Sequence, residues 1–316
     1  MKQKEILLFG ASGQIGRNLI RKLSKNNYKI TAVTRNIHRK GYLLKTQANP
    51  GYLELVELKN FSSENIDKLM RKCSICINLI GILNEKNKNN FKTIHTDLPD
   101  MLSQKASIYK LDKFIHLSSL GIEKAHDSKY AISKLEGEKK IINNFKNSII
   151  LKPSIVYSVD DKFTTNFMTL LSRLPFIPLY YSGKTKFTPI HVTDLVDIIY
   201  EMVDKVKPSL VLECIGPEVL SFKDILESLL QSIDKKRLIF PLPLPLAKIS
   251  AKLFQLLPNP ILTEDQLNLL KYDNIKSGIY KTNYDLGFKT KKIFKSEVDK
   301  YSFNWRTGGQ FAKIND

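Results

Sequence analysis

The chain has 316 residues, of which 42% are hydrophobic, so it can bury a large core in one sizeable domain or in a domain with a smaller lobe. It lacks any run of about 18 uncharged apolar residues, so we predict no transmembrane segment. The net charge of +19 comes from lysines scattered through every segment, not from a basic stripe interleaved with aromatic residues, so nucleic-acid binding is not expected.

The strand signal begins by residue 5, which leaves no room for a secretory or transit peptide, and we expect a cytoplasmic protein. Three cysteines, an odd number, form no disulfide framework, in agreement with a reducing compartment. Cys73 and Cys76 are spaced as C-x-x-C, but they run into an apolar strand instead of opening a helix, so no redox role is expected. The histidines and cysteines do not cluster with zinc-ligand spacing, and we expect no metal.

The first element is an apolar strand that enters three glycines, Gly10, Gly13 and Gly16, and a helical pattern follows them. This order suits a dinucleotide pyrophosphate, which needs a tight turn, a backbone without Cβ atoms and the free N–H groups of a helix N-terminus. The alternative is an ordinary turn between a strand and a helix.

The second predicted strand, Lys29–Thr34, closes on Arg35. In a dinucleotide-binding fold, an acidic residue at this position binds the ribose hydroxyls of NAD, whereas an arginine accommodates the 2′-phosphate of NADP. The sequence therefore predicts NADP(H) in preference to NAD(H). A solvated basic loop is the alternative.

Strands and helices continue to alternate along the first half. The predicted elements are, in chain order, a strand at Leu53–Leu58, a helix at Ser63–Lys72, a strand at Ile75–Gly81, a helix at Asp97–Tyr109 and a strand at Lys113–Ser119. The almost continuous hydrophobicity of the fourth strand indicates burial on both faces, as in a parallel sheet covered by helices. We therefore predict an α/β fold with a Rossmann-type doubly wound parallel sheet, whose ligands bind at the carboxyl ends of the strands.

Candidate catalytic residues follow the fifth strand. Ser118 and Ser119 end that strand, and Tyr130 and Lys134 lie four residues apart at the start of the next predicted helix, where they share a face. The Lys134 ammonium is expected to lower the pKa of the Tyr130 phenol. Such a phenol, with Ser119 beside it, would exchange a proton with a substrate carbonyl while a nicotinamide exchanges hydride.

The second half is predicted to form a smaller, mainly helical lobe. Helices are expected at Phe163–Leu174 and Thr193–Val206, and Ser221 and Asp224 form a capping box that opens a further helix. The stretch Phe240–Leu257 combines prolines with an apolar pattern. It is either a lobe helix that packs on the core or an amphipathic helix that contacts a membrane surface or a membrane partner.

The predicted domain boundaries follow from these elements. Residues 1–158, completed by 184–216, are expected to form the dinucleotide-binding domain, whereas 159–183 and 217–316 are expected to form the lobe for a substrate or a partner.

The glycines, the strand ending in serines and the Tyr130/Lys134 pair together resemble the short-chain dehydrogenase/reductase superfamily, in its atypical branch. Residues 149–157 are similar to the sixth strand of that branch, where a Pro-Ser turn lies beside the nicotinamide, and residues 183–194 resemble its return into the sheet. With residues 240–246 and 262–266, the match is closest to the family of nucleotide-binding accessory subunits of respiratory complex I, alpha-subcomplex subunit nine, and its bacterial relatives.

This resemblance implies an NADPH-binding protein with a role in complex I assembly or stability or in ubiquinone metabolism, peripheral on the cytoplasmic face of the inner membrane. The alternative is an active NADP-dependent reductase, or an epimerase/dehydratase, that acts on a small carbonyl or quinone-related substrate with Ser119, Tyr130 and Lys134 as catalytic residues. The expected cofactor contacts are Gly10, Ser12, Gly13, Gln14, Ile15, Gly16, Arg35, Leu58, Gly81, Ser118, Tyr130, Lys134 and Pro153.

Overall fold

The computed structural model describes residues 5–85, 90–205, 209–243, 245, 246, 249 and 263–311. A parallel sheet of eight strands forms its centre. The strands lie across this sheet in the order β3 (Leu53–Glu57), β2 (Lys29–Thr34), β1 (Glu5–Phe9), β4 (Ile75–Asn78), β5 (Lys113–Leu117), β6 (Ser148–Pro153), β11 (Leu210–Cys214) and β14 (Lys281–Thr282). The order reverses between β1 and β4, and a doubly wound sheet binds its ligands at such a switch point.

Helices cover both faces of the sheet. In chain order the α-helices are α1 (Gln14–Lys25), α2 (Ile37–Lys45), α3 (Ser63–Met70), α4 (Leu98–Ile108), α5 (Lys129–Asn144), α6 (Phe163–Arg173), α7 (Val192–Asp204), α8 (Phe222–Ser232), α9 (Glu264–Leu269) and α10 (Phe294–Asp299). In β1, Ile6 and Leu8 join the core formed with α1 and α7, whereas Leu7 and Phe9 join the core formed with α3 and α4. Two-sided burial explains the continuous apolar runs of the central strands.

The remaining elements build a third hydrophobic core beside the carboxyl edge of the sheet. Its short strands pair as β7 (Val156–Tyr157) with β10 (Ile190–His191), β8 (Phe176–Leu179) with β13 (Leu238–Pro241), and β9 (Lys186–Phe187) with β12 (Leu220–Ser221). Tyr157, Leu171, Phe222 and Phe294 are among the buried side chains of this core. The predicted α/β class with a smaller, largely helical lobe is confirmed.

Most predicted elements are present with ends shifted by a few residues. The capping box at Ser221 and Asp224 is confirmed, since the side chain of each residue accepts a hydrogen bond from the backbone N–H of the other. The helix predicted from Asp97 begins earlier, because a π-helical segment, Lys92–Asp97, leads into α4. No helix among the described residues is both long and apolar enough to cross a bilayer.

Two expectations concern the C-terminal part of the chain. Phe240 and Pro241 belong to strand β13, not to a helix, and most of the predicted 240–257 stretch lies outside the described residues. Strand β14 joins the central sheet by pairing with β11, although the predicted boundaries assign its residues to the lobe. The division of the chain into two domains therefore stays a prediction, with β14 as a contribution of the C-terminal part to the sheet.

Candidate dinucleotide site

The glycine loop between β1 and α1 has the geometry that a pyrophosphate requires. Gly10 has a φ of 79°, in the left-handed region, and a Cβ there would lie 2.9 Å from the carbonyl carbon of Leu79. A Cβ on Gly16 would lie 2.5 Å from the carbonyl oxygen of Gly10. Larger residues at these two positions would displace the backbone, so the loop fits a ligand that approaches main-chain atoms closely.

The first turn of α1 begins at this loop. Gly13 is the N-cap residue and offers no side chain to cap the helix, so the N–H groups of Gln14 and Ile15 remain for water or a ligand. The Gln14 side chain donates a hydrogen bond to the carbonyl oxygen of Val156 at 3.3 Å. This bond places the loop next to the turn that follows β6.

Two arginines lie near the carboxyl edge of the sheet, in different surroundings. Arg17 in α1 forms an ion pair with Asp160 and donates to the carbonyl oxygen of Ser12 at 3.4 Å, so it has an anionic partner inside the protein. Arg35 follows the end of β2 and is exposed. It stands where a dinucleotide-binding fold distinguishes the two cofactors.

The end of β3 lies beside the end of β2 on the predicted adenosine side. Leu58 is buried, and its N–H donates to the carbonyl oxygen of Thr34 at 2.9 Å. Glu57 accepts a hydrogen bond from the N–H of Ile37 at 2.8 Å and thereby satisfies a donor at the start of α2. The structure therefore brings Leu58 and a carboxylate close to the strand end from which Arg35 projects.

Three more predicted cofactor residues lie at the carboxyl ends of central strands. Gly81 follows β4, and a Cβ on it would lie 3.5 Å from Nζ of Lys134. Pro153 ends β6, and its carbonyl oxygen accepts a hydrogen bond from the N–H of Leu120 at 2.9 Å. Ser118 follows β5, but it is buried and its hydroxyl donates to Glu138, so that hydroxyl already has a partner in the interior.

The three predicted catalytic residues come together where β5 ends and α5 begins. Ser119 lies close enough to Tyr130 for its hydroxyl to lower the pKa of the phenol. Lys134 is buried and donates to the carbonyl oxygen of Leu117 at 3.0 Å. The hydroxyl groups of Ser119 and Tyr130 can thus orient a carbonyl oxygen, and the ammonium group of Lys134 lies on α5 with Tyr130.

The prediction that Lys134 lowers the pKa of the Tyr130 phenol is wrong, because that pKa is raised. Burial raises the pKa of Tyr130, the charges of Glu138 and Asp265 raise it further, and the nearby Ser119 hydroxyl only partly offsets them. Burial lowers the pKa of Lys134 to about 8, although the charge of Glu138 opposes that shift. The neutral phenol is therefore the stable form, which suits a proton donor better than a general base.

A buried ion cluster that the sequence analysis did not identify lies behind these residues. Lys152 on β6 is completely buried and contacts Glu138 at 2.7 Å and Glu123 at 2.6 Å. Although burial opposes its charge, the two carboxylates raise the pKa of Lys152. A lysine inside the apolar run of β6 was the available signal, because an unpaired charge is not tolerated in such a place.

His95 is a second residue that the sequence analysis missed. It lies in the π-helical segment before α4, is fully buried, and has its ring 5.2 Å from the ring of Tyr130. Its position was not predictable, because the pattern around it indicates neither the π turn nor the neighbour across the sheet edge.

Cysteine redox chemistry and metal binding receive no support from the described residues. Burial raises the pKa of Cys73 to about 12 and that of Cys76 well above its usual range, so the reactive thiolate is disfavoured. No group of three or more His, Cys, Asp and Glu side chains within the described part of the chain could hold a metal ion.

Comparison with known families agrees with this geometry. The profile of the NAD dependent epimerase/dehydratase family matches residues 6–212. This chain belongs to that family, and binding of a nicotinamide dinucleotide is the property that the family and the glycine loop share.

The individual proteins that match this chain are a narrower group than the family. The chain is 24% identical over 288 residues to the mitochondrial NADH-ubiquinone oxidoreductase 40 kDa subunit of Neurospora crassa, covering 90% of this chain and 76% of that protein. It is 25% identical over 314 residues to the mitochondrial NADH dehydrogenase [ubiquinone] 1 alpha subcomplex subunit 9 of Arabidopsis thaliana, covering 96% of this chain and 78% of that protein. The predicted resemblance to the complex I accessory subunits is confirmed.

Solved structures show the same fold. The dTDP-glucose 4,6-dehydratase of Bacillus anthracis in complex with NAD aligns with a TM-score of 0.70 and 15% identity, covering 96% of each chain.

Proposed function

We propose that this protein is an NADP(H)-binding accessory protein of the kind found in respiratory complex I, with a role in assembly or stability of that complex or in ubiquinone metabolism. The observation that best supports cofactor binding is the glycine loop, where Gly10 and Gly16 leave no room for a Cβ beside an uncapped helix N-terminus. The relatives that match most of the chain are named as complex I subunits, which supports the accessory role. Cytoplasmic location at the inner membrane belongs to the same proposal.

The proposed cofactor contacts run along the carboxyl edge of the sheet. The loop from Gly10 to Gly16 would hold the pyrophosphate, Leu58 would pack near the adenine, and Arg35 would pair with a 2′-phosphate. Gly81, Ser118 and Pro153 would flank the nicotinamide half, near Tyr130 and Lys134. When bound, the cofactor supplies or accepts a hydride.

An active reductase is the second candidate, and the proximity of the Ser119 hydroxyl to the Tyr130 phenol favours it. In that case Ser119 would orient a carbonyl oxygen and the neutral Tyr130 phenol would donate a proton to it. Lys134 would stabilise the phenolate that forms. The raised pKa of Tyr130 limits its use as a base and favours a holding role for the resting site.

One experiment distinguishes the two candidates. The purified protein is denatured, the released nucleotide is identified, and nicotinamide absorbance is followed with quinone and carbonyl substrates. We expect NADPH to be released, with no turnover. Measurable turnover that Tyr130→Phe abolishes while nucleotide binding persists would refute the accessory-only proposal.

The cofactor preference has its own test. Arg35→Asp replaces a charge-assisted contact with a repulsion, so NADPH should bind about 10- to 100-fold more weakly while NADH affinity changes little. The matched control is Arg173→Asp, an exposed arginine of α6, which should leave both affinities unchanged. Equal losses for NADPH and NADH would remove the basis for the NADP(H) assignment.

A further inference from the structure

His95 connects two parts of the proposed nicotinamide side. Its Nε2 accepts a hydrogen bond from the N–H of Ile82 at 3.1 Å, in the loop after β4. Its Nδ1 lies 3.0 Å from the hydroxyl of Ser133 on α5, and that hydroxyl lies 2.8 Å from the carbonyl oxygen of Tyr130. One imidazole thus joins the loop that contains Gly81 to the helix that bears Tyr130.

These contacts specify one tautomer. A backbone N–H can only donate, so Nε2 of His95 must be unprotonated and Nδ1 must bear the hydrogen. Ser133 accepts that hydrogen and donates its own to the carbonyl oxygen of Tyr130. Both nitrogens of the buried ring therefore have a hydrogen-bond partner, as is usual for buried polar groups.

The segment that contains His95 packs closely against α5. A Cβ on Gly137 of α5 would lie 1.9 Å from the carbonyl oxygen of His95, so the π-helical segment reaches α5 only because that residue is glycine. The ring of Phe91 stacks on the imidazole at 5.4 Å, and Tyr130 meets it edge-on at 5.2 Å. Phe91, one turn earlier in the chain, and the sequence-distant Tyr130 thus both pack against the ring.

We infer that His95 is a positioning residue that holds the Gly81–Ile82 loop against α5 and thereby presets the nicotinamide half of the cofactor site before the dinucleotide binds. The inference rests on the proposed cofactor binding and adds a residue to it. Loss of the Nε2 acceptor would free the Ile82 N–H and the loop. The hydrogen bonds and ring contacts of His95 are with Ile82, Ser133, Phe91 and Tyr130, so the adenosine half, which we assign to Leu58 and Arg35, should be indifferent to that loss.

Two substitutions separate the two ring nitrogens. His95→Gln can place an amide oxygen near the position of Nε2 and keep the bond from Ile82, whereas His95→Asn can reach only the Ser133 side. We expect His95→Asn to bind NADPH about tenfold more weakly than the wild type, as for loss of one buried hydrogen bond, and His95→Gln to stay within about threefold. Both should bind adenosine 2′,5′-bisphosphate with wild-type affinity.

The outcomes are distinct. Equal NADPH affinities of the two variants, or a matching loss for adenosine 2′,5′-bisphosphate, would overturn the positioning role. A wild type that binds neither ligand would refute the proposed function itself. If the variants do not fold, hydrogen exchange of the nucleotide-free wild type decides: a protected Ile82 amide supports a preset loop, and a rapidly exchanging one contradicts it.

Discussion

Gly16 shows how one missing atom shapes the candidate site. In Gly16→Ala the new Cβ would lie 2.5 Å from the carbonyl oxygen of Gly10 and 2.6 Å from that of Ala11, and both are backbone atoms that cannot rotate away. We expect at least about tenfold weaker dinucleotide binding and about 1–3 kcal/mol lower stability, measured by titration and urea unfolding. The control is Gly41→Ala in α2, where the Cβ would meet a side-chain carbon of Ile37 at 3.1 Å. Unchanged affinity in Gly16→Ala would show that the loop can relax.

His95 also predicts a pH dependence of stability. Burial, with a smaller effect of the Lys134 charge, lowers the pKa of His95 from its ordinary 6.5 to about 3. Between these values the unfolded chain binds a proton that the folded chain excludes, so the free energy of unfolding falls as the pH falls from 6.5 towards 3.

The test compares slopes of stability against pH. His95→Gln should reduce the slope between about pH 6 and 4 by about one proton, measured by urea unfolding at several pH values. The buried His116, whose pKa is also lowered, contributes to both proteins and cancels in the difference. His38→Gln, at an exposed position of α2, is the matched control and should retain the wild-type slope. An unchanged slope in His95→Gln would mean that the ring is accessible to protons in the folded state.

At the scale of elements, α9 stabilises the start of the helix that bears Tyr130. Asp265 of α9 accepts hydrogen bonds from the Ser128 hydroxyl at 2.9 Å, from the N–H of Lys129 at 2.7 Å and from the N–H of Tyr130 at 3.2 Å. Asp265→Ala removes a charged acceptor from three donors at a helix N-terminus and should cost about 1–3 kcal/mol in urea unfolding. Asp299→Ala, which removes an exposed pair with Lys295, should cost less than about 0.5 kcal/mol. Similar losses for both would contradict the capping role.

The contacts of α9 show which features of the site could not be predicted from the sequence. Strand and helix periods predicted the glycine loop, the strand ending in serines and the start of α5, because those signals are local. The contact between Asp265 and Tyr130 spans 135 residues, and no local pattern of charge or hydropathy indicates such a pairing. The raised pKa of Tyr130 was missed for that reason, since burial and Asp265 both depend on the tertiary structure.

At the scale of the whole molecule, the C-terminal part of the chain completes the first half. Strand β14 extends the sheet next to β11, and the buried Asn283 that follows it accepts a hydrogen bond from the N–H of Ile215 at 2.8 Å. Asn274 donates to the carbonyl oxygen of Leu120, in the loop between Ser119 and α5. Residues from both halves therefore build one site edge, whatever boundary is drawn between the proposed domains.

Removal of residues 263–316 tests this interdependence. The fragment 1–262 would lose β14, the Asp265 cap on α5, and Phe294 and Val298 from the core of the lobe. Each loss exposes buried apolar surface or removes hydrogen bonds, and we expect their combined cost to reach the 5–15 kcal/mol by which a domain of this kind is usually stable. We expect the fragment to lack a cooperative thermal transition by circular dichroism and to bind no dinucleotide. Co-expression of 263–316 as a separate chain should restore both properties, because the missing contacts are non-covalent. A fragment 1–262 that unfolds cooperatively and binds NADPH as the full chain does would show that residues 1–262 form the site alone.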